Sequence, residues 1–160
     1  MSGTGMQARN LTLGGGALVV AFAADQASKA LVVAEAARLA GGVPVLPGFN
    51  LVFGRNSGVT FGLFREVPWW GLALVAAAIC AWLLRIMVSA PTRSEAVAAG
   101  LIVGGALGNV VDRIRFGAVT DFLDFYAGDW HWPAFNLADV AVVCGAALLV
   151  LRPLVGSRAA

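Results

Sequence analysis

The sequence predicts an all-α membrane bundle of four transmembrane helices, and three observations lead to that fold class. Hydrophobic residues make up 59% of the 160-residue chain and charged residues only 12%, which leaves too little polar surface to solvate a globule of this size. Four stretches approach the roughly 20 apolar residues that a helix needs to cross a hydrocarbon core of about 30 Å. The charged residues are scattered singly, so no basic run indicates a nucleic-acid partner.

We predict a single integral membrane domain over residues 1–160, and its spans carry distinct local signals. The spans cover about residues 13–37, 68–88, 95–114 and 137–154. The second span opens with Pro68 and two tryptophans, which is typical of a helix start at a membrane interface. The third span carries glycines whose spacing lets helix backbones approach closely, namely Gly100, Gly104, Gly105 and Gly108.

The first apolar segment also fits a cleavable signal peptide. Its stretch from Leu11 to Ala24 has the length of a signal-peptide apolar region, and Ala21 to Ala23 resembles a small-residue cleavage site. However, apolar character resumes after Lys29, and cleavage would leave three spans with the two termini on opposite sides. We therefore expect an uncleaved first span.

The two long connections are predicted to lie on the same side of the membrane. Residues of about 41–66 place apolar residues between Pro, Asn and Gly, which indicates short strands and turns. Irregular backbone cannot face hydrocarbon, so this segment should rest on the membrane surface. The other connection, about 115–136, is predicted as a loop that holds Asp121, Asp124 and His131. Arginines are equally frequent near both sides, so the positive-inside rule does not give the orientation.

Polar residues inside the spans form two candidate groups. Asp25 and Lys29 are four residues apart on one helix face, where they form either a self-neutralising ion pair or the support of a site. In the third span, Asn109, Asp112 and Arg113 share a face at the helix end. Arg113 could instead anchor the helix at the lipid headgroups, but Asn109 lies one turn deeper.

Asp121 and Asp139 are the candidate catalytic pair. Asp121 follows the third span and Asp139 opens the fourth, so antiparallel helices joined by one connection return both carboxylates to one membrane face. Two close carboxylates share one proton, because repulsion and desolvation disfavour the second charge. Such a pair can activate water against a peptide carbonyl. From spacing alone, Asp139 could equally be a first-turn acid favoured by the helix dipole, and Asp121 an ordinary loop acid.

Five short motifs occur in order along these spans and their connections. They are Asp25-Gln26-Ala27-Ser28-Lys29, Asn56-Ser57-Gly58-Val59-Thr60-Phe61, Gly108-Asn109-Val110-Val111-Asp112-Arg113, Val119-Thr120-Asp121-Phe122 and Phe135-Asn136-Leu137-Ala138-Asp139. Together, nearly end to end, they resemble the lipoprotein signal peptidase family, also called signal peptidase II. One position departs from that pattern, since Thr60 stands where the family favours alanine.

The resemblance implies a four-helix bundle with a small β-cradle on the periplasmic surface of the bacterial inner membrane, with both termini cytoplasmic. It implies an aspartic endopeptidase with Asp121 and Asp139 as catalytic dyad and without a metal or organic cofactor. We expect the protein to act as a monomer in contact with membrane lipids. The implied substrates are diacylglyceryl-modified prolipoproteins, cut just before the lipid-bearing cysteine. The implied substrate-binding or site-supporting residues are Asp25, Lys29, Asn56, Gly58, Asn109, Asp112, Arg113 and Asn136.

Two functions of other classes also fit the composition. A small ion or proton transporter subunit would use a polar path through the membrane, made of Asp25, Lys29, Asp112 and Asp139. Such a path should connect both faces, whereas the polar residues cluster toward one end of the spans. A non-catalytic scaffold would rest on the glycine-rich third span and would not need both Asp121 and Asp139.

Overall fold

The computed structural model describes residues 3–57 and 69–156, which form a mostly helical structure with one small antiparallel sheet. The elements in chain order are α1 (Gly3–Ala34), α2 (Ala36–Leu39), β1 (Val43–Leu46), β2 (Phe49–Asn56), α3 (Trp69–Ser89), α4 (Arg93–Phe116), β3 (Val119–Ala127), β4 (Trp130–His131) and α5 (Leu137–Gly156). A long helix therefore occupies most of each predicted span.

The first helix is longer than the sequence predicts. It begins at Gly3 rather than near residue 13, although its first turns contain polar residues. The side-chain amides of Gln7 and Asn10 donate to the carbonyls of Val88 and Ala90 at 3.2 Å each. These hydrogen bonds join the first turns of α1 to the turn between α3 and α4, so the polar residues extend the helix instead of ending it.

Two helices among the described residues are long and apolar enough to cross a membrane, Gly5–Ala34 and Arg93–Phe116. Ala77–Ser89 and Leu137–Leu151 are shorter apolar stretches. The crossing of α3 and α5 therefore stays a prediction. Large apolar side chains nevertheless lie exposed on all four long helices, as at Val20, Leu74, Ile114 and Val150, a distribution that a water-soluble monomer rarely shows.

Helix α4 is the centre of the bundle and packs against α1, α3 and α5. Gly100 and Gly104 lie so close to the α1 backbone that neither has room for a Cβ atom, and Gly105 lies equally close to Ala138 of α5. The predicted close approach of helices along the glycine stripe is therefore confirmed. This packing fixes the distance between the three helices whose ends carry the polar residues.

The sheet lies at one end of the bundle, with strand order β1-β2-β3-β4 and antiparallel pairing throughout. Helix α4 ends at Gly117, whose left-handed φ of 69° turns the chain directly into β3. The prediction of a loop over about 115–136 is therefore wrong for Val119–Ala127, which form a full strand. The residues of β3 are mostly β-branched or aromatic, the types that favour a strand.

The short strands predicted in the surface segment of about 41–66 are present as β1 and β2. Strand β2 pairs with β3 so that Asn56 and Asp121 lie near the same end of the two strands. The rest of that segment, including Gly58 and Thr60, lies outside the described residues.

Candidate active site

The end of the bundle that meets the sheet holds a buried polar cluster. Its side chains come from α1, α4, β3 and the start of α5, and its buried members are Asp25, Lys29, Asp112, Asp121 and Asn136. Buried charged and amide groups are costly unless they are paired. The contacts of this cluster therefore decide both how the helices are held and what the site can do.

Asp121 is only 5% exposed on strand β3. Its two carboxylate oxygens accept hydrogen bonds from amide groups, Oδ1 from Asn136 Nδ2 at 2.7 Å and Oδ2 from Asn56 Nδ2 at 3.0 Å. Burial and, to a lesser extent, the nearby Asp139 carboxylate raise the pKa of Asp121 to about 6, although the two amides and Lys29 oppose the rise. Asp121 therefore holds a proton far more readily than an ordinary aspartate.

Asp139 lies in the first turn of α5 and forms a reciprocal cap with Asn136. The Asp139 backbone N–H donates to Asn136 Oδ1 at 3.0 Å, and the Asn136 backbone N–H donates to Asp139 Oδ2 at 3.2 Å. The other oxygen, Oδ1, accepts from Asn109 Nδ2 at 2.9 Å. The arrangement is a capping box, so Asp139 does stabilise the start of the helix. The capped carboxylate still faces the polar cluster, because its other oxygen accepts from Asn109.

Asn136 connects the two predicted catalytic acids. Its side-chain N–H donates to Asp121, while its backbone N–H donates to Asp139. The structure thus brings the two carboxylates to opposite sides of one fully buried residue. The expectation that the connection returns them to the same end of the bundle agrees with this geometry.

Lys29 forms the cationic centre of the cluster. Its Nζ lies 2.9 Å from Asp25 Oδ2, 2.9 Å from Asn109 Oδ1 and 3.5 Å from Asp112 Oδ2. The predicted pairing of Asp25 with Lys29 is present, but the ammonium is shared with α4 instead of being neutralised on α1 alone. Three acceptors match the three N–H donors of the ammonium group.

Both acids beside Lys29 also hold a backbone group of another element. Asp25 Oδ1 accepts from the N–H of Ala138 at 3.0 Å, and Asp112 Oδ2 accepts from the N–H of Thr120 at 2.8 Å. Residues 138 and 120 directly precede Asp139 and Asp121. The ion cluster therefore fixes the backbone next to each predicted catalytic acid. Gly108 completes the arrangement, because the Asp25 carboxylate fills the space that its Cβ would need.

Arg113 lies next to Asp112 in the last turn of α4. Its guanidinium Nη1 lies 3.4 Å from the Asn109 carbonyl oxygen, to which it donates. It is close enough to Asp112, Asp121 and Asp139 to interact electrostatically with all three. The position suits a cation that faces the reaction site, whereas a headgroup anchor would point away from the three acids.

An apolar groove opens beside Asp139. It has a volume of about 520 Å³ and is lined by Trp132, Pro133, Ala134, Phe135, Asp139, Val140, Val143 and Cys144. Asp139 is its only acidic lining residue, at the start of α5, and the remaining lining is largely apolar. An apolar ligand that lies along α5 would therefore place its polar end at the carboxylate.

A second carboxylate, Asp124 on the same strand, has a role that the sequence analysis left open. His131 Nδ1 lies 2.8 Å from Asp124 Oδ1, and Asn50 Nδ2 donates to Oδ2 at 3.0 Å. Burial acts to raise the pKa of Asp124, but the hydrogen bonds from His131 and Asn50 and the charge of His131 outweigh it and hold the pKa below its ordinary value. The pairing of β3 with β4 could have revealed this contact, but that hairpin was not predicted.

Within residues 3–57 and 69–156, no three His, Cys, Asp or Glu side chains are placed to hold a metal ion. The polar groups around the two predicted catalytic acids are instead their two carboxylates, three asparagine amides and the shared ammonium group. These groups suit proton transfer and the stabilisation of a developing charge.

The chain is similar to known proteins over most of its length. Residues 17–155 match the family model described as "Signal peptidase (SPase) II". A lipoprotein signal peptidase of Nitratidesulfovibrio vulgaris is 48% identical over 140 residues, which cover 83% of this chain and 84% of the relative. The lipoprotein signal peptidase of Photorhabdus laumondii is 42% identical over 139 residues, with coverage of 84% and 83%.

Two solved structures, both described as bacterial membrane enzymes, share the fold. One has a TM-score of 0.74 at 23% identity and covers 95% of this chain and 90% of its own. The other has a TM-score of 0.73 at 24% identity, with coverage of 92% and 93%. The helical bundle with its small sheet is therefore an established membrane-enzyme architecture.

Proposed function

The chain belongs to the signal peptidase II family, and from that premise we propose that Asp121 and Asp139 are its catalytic dyad. The protein is a membrane aspartic peptidase that removes the signal peptides of lipoproteins. The observation that carries the dyad assignment is the bridge through Asn136, which hydrogen-bonds to both carboxylates. Asp112 and Asp124 do not have this arrangement, since each is committed to a cation and a structural N–H donor.

The proposed reaction is a general acid–base hydrolysis. The ionised member of the dyad takes a proton from water, whose oxygen attacks the scissile carbonyl carbon. The protonated member donates a hydrogen bond to the developing oxyanion and then transfers its proton to the leaving amine. Because the two acids share one proton, they titrate as a unit.

The groove beside Asp139 supports a lipid-bearing substrate. We propose that the substrate is a prolipoprotein with a diacylglyceryl group on its cysteine, and that cleavage occurs just before that cysteine. The acyl chains can lie against the exposed apolar surface and the groove lining, at Val140, Val143 and Cys144. The scissile bond then reaches Asp139 at the helix end, near the interface where water is available.

We further propose that residues 1–160 form one membrane domain in the bacterial inner membrane, with α1, α3, α4 and α5 spanning it and the protein acting as a monomer in contact with lipids. The exposed apolar residues on all four helices support this. The sheet would be periplasmic and both termini cytoplasmic. With Cys80 and Cys144 replaced by alanine, a cysteine at position 129 should react with an impermeant maleimide added outside, and one at position 8 should not. The reverse labelling would contradict the orientation.

Single replacements of Asp121 and Asp139 with asparagine test the dyad. Each should lower turnover of a lipid-modified precursor in liposomes by about 10³-fold or more, because each removes one proton-transfer group. Asp129→Asn is the matched control, since Asp129 is an exposed acid in the turn between β3 and β4. Near-normal turnover of either dyad variant would disprove the assignment, and wild-type activity is expected to survive a metal chelator.

A further inference from the structure

Asn109 stands between the ion cluster and the proposed dyad. Its side-chain oxygen accepts from Lys29 Nζ at 2.9 Å and from Asn136 Nδ2 at 3.3 Å. Its side-chain nitrogen donates to Asp139 Oδ1 at 2.9 Å. Two donor groups therefore face the oxygen of the Asn109 amide, and an acceptor faces its nitrogen.

This pattern leaves the amide one chemically sensible orientation. A flipped Asn109 would turn its NH₂ group toward the ammonium of Lys29, which has no acceptor to offer. It would also turn its oxygen toward the Asp139 carboxylate, where two acceptors would face each other. Lys29 makes the shorter of the two hydrogen bonds to the Asn109 oxygen, at 2.9 Å against 3.3 Å from Asn136, and so contributes most to holding the NH₂ end toward Asp139.

We propose that Lys29 is a positioning residue for the reaction: by orienting Asn109, it supplies Asp139 with an N–H donor and makes Asp139 the ionised, water-activating member of the dyad. Asp121 is then the proton carrier. The inference rests on the dyad proposed above and assigns a separate role to each of its acids.

The surroundings of the two acids support this division. Asp139 receives one N–H group on each oxygen and lies at the N-terminal end of α5, where the helix dipole favours negative charge. Asp121 lies on strand β3, where it accepts hydrogen bonds from the side-chain amides of Asn56 and Asn136, and burial raises its pKa to about 6. Hydrogen bonds to the charged form favour ionisation, and burial opposes it.

Lys29 acts through geometry more than through its charge. The ammonium is already balanced by two carboxylates, Asp25 on its own helix and Asp112 on α4. Within residues 3–57 and 69–156, the other charged groups that face the dyad are Arg113 on α4 and the two acids themselves. Two carboxylates beside Lys29 weaken its field at the dyad, although its charge still lowers the pKa of Asp121, whereas the amide that it orients is in direct contact with Asp139.

The proton balance of the reaction follows from this assignment. Water gives one proton to Asp139 while its oxygen bonds to the carbonyl carbon, and Asp121 gives its proton to the amine as the C–N bond breaks. After product release, the proton on Asp139 returns to Asp121. The net reaction consumes one water molecule and one peptide bond.

The pH dependence of Lys29→Met tests the inference. In full-length protein in liposomes, we expect kcat/KM to fall at least 10-fold at acidic pH, and its acidic limb to move to higher pH, because Asp139 loses its oriented donor. A role that is only structural would lower kcat/KM equally at all pH values and leave the limb in place. Arg38→Met is the matched control, because Arg38 is an exposed cation whose only described ion pair, with Glu35, spans 3.9 Å.

Asn109→Ala keeps the test decisive if Lys29→Met folds poorly, and a double-mutant cycle extends it where both variants fold. Asn109→Ala alone should produce the same shift of the acidic limb, and adding Lys29→Met to it should move the limb no further. A further shift would mean that Lys29 acts on Asp139 directly, which would overturn the positioning role. An unmoved limb in Asn109→Ala would overturn it as well.

Infrared spectroscopy separates this inference from the dyad assignment. Just below pH 6, the C=O stretch of a protonated carboxyl should disappear in Asp121→Asn and persist in Asp139→Asn. If the band instead disappears in Asp139→Asn, the proton assignment is wrong although the dyad stands. Near-normal turnover of either asparagine variant would remove the dyad, and the inference with it.

Discussion

Asp121 and Asp124 lie three residues apart on strand β3 and are both little exposed to solvent, but Asp121 lies much deeper in the protein, and their pKa values shift in opposite directions. Asp121 is bound by the neutral amides of Asn56 and Asn136. Asp124 is bound by His131, which can carry a positive charge, and by Asn50. Accordingly, burial raises the pKa of the first, while the partners of the second hold its pKa below the ordinary value.

The difference teaches that burial alone does not make a carboxylate reactive. At Asp121 the hydrogen bonds from two neutral amides favour the ionised form less than burial disfavours it, so its pKa stays raised. An imidazole beside Asp124 compensates the charge and fixes the ionised form. Strand β3 therefore carries Asp121, which has the proton-transfer role in the proposed reaction, and Asp124, which holds the β3–β4 hairpin in place.

The largest expected difference between the two acids comes from removing the asparagine amide that donates to each of them. Asn136→Leu should lower turnover by about 10²-fold or more, because it removes the donor of Asp121 and the side-chain acceptor of the α5 cap. Loss of that cap should also destabilise the protein by about 1 kcal/mol. Asn50→Leu is the matched control at Asp124 and should cost at most a few-fold. Turnover and thermal unfolding of both variants measure this, and equal losses would break the comparison.

The next largest effect should be the titration of Asp121, which the pH dependence of kcat/KM would show. Because the free enzyme needs Asp121 protonated and its pKa is about 6, kcat/KM should fall as pH rises through about 6. The decline should approach about tenfold per pH unit. The corresponding limb of kcat should lie at higher pH, since bound substrate excludes more water. Asp124→Asn should leave both limbs in place, and a shift there would mean that Asp124 takes part in the reaction.

The two acids should affect stability with opposite signs. The pKa of Asp121 is above its unfolded value near 3.8, so its stabilising effect is present below that pH and is lost as pH rises to about 6. The folded-state pKa of Asp124 is depressed, so its contribution is present above its unfolded value near 3.8 and is lost on further acidification.

At pH 7, therefore, Asp121→Asn should unfold a few degrees above wild type, and Asp124→Asn a few degrees below it. Thermal unfolding in detergent at neutral and acidic pH would measure this. Shifts of the same sign would contradict the comparison.

The smallest expected effect is that of His131→Gln. The glutamine amide can still donate to Asp124 but cannot carry a charge. We expect an activity loss of no more than a few-fold, caused by a looser wall at Trp132 in the groove. Measuring KM and kcat separately would locate the effect, and a loss mainly in kcat would place His131 in the chemistry.

Much of this architecture was predictable, because membrane helices and small-residue contacts follow simple rules. The apolar runs predicted the positions of the long helices, and the glycine spacing of α4 predicted its contacts with α1 and α5. The i, i+4 spacing of Asp25 and Lys29 predicted their pair. These features depend on local sequence or on one helix face, which a single sequence displays directly.

The sheet region was harder, because its contacts depend on register. The run Val119–Ala127 has strand-forming residues between Gly117 and Gly128. It was nevertheless predicted as a loop, because it contains two acidic residues. The contact between Asp124 and His131 requires the β3–β4 hairpin to be known first. Likewise, Asn10 extends α1 only because Ala90 offers a carbonyl 80 residues away. No spacing rule predicts partners of that kind.

The cap of α5 also determines when this peptidase can become active during its synthesis. Asn136 and Asp139 both belong to the start of the last described helix, so a chain that has grown only to the end of β3 contains Asp121 without its partner. The same hydrogen bonds that begin α5 complete the reactive pair. If Asp121 and Asp139 are the dyad proposed above, a newly made molecule gains activity only once the start of α5 is in place.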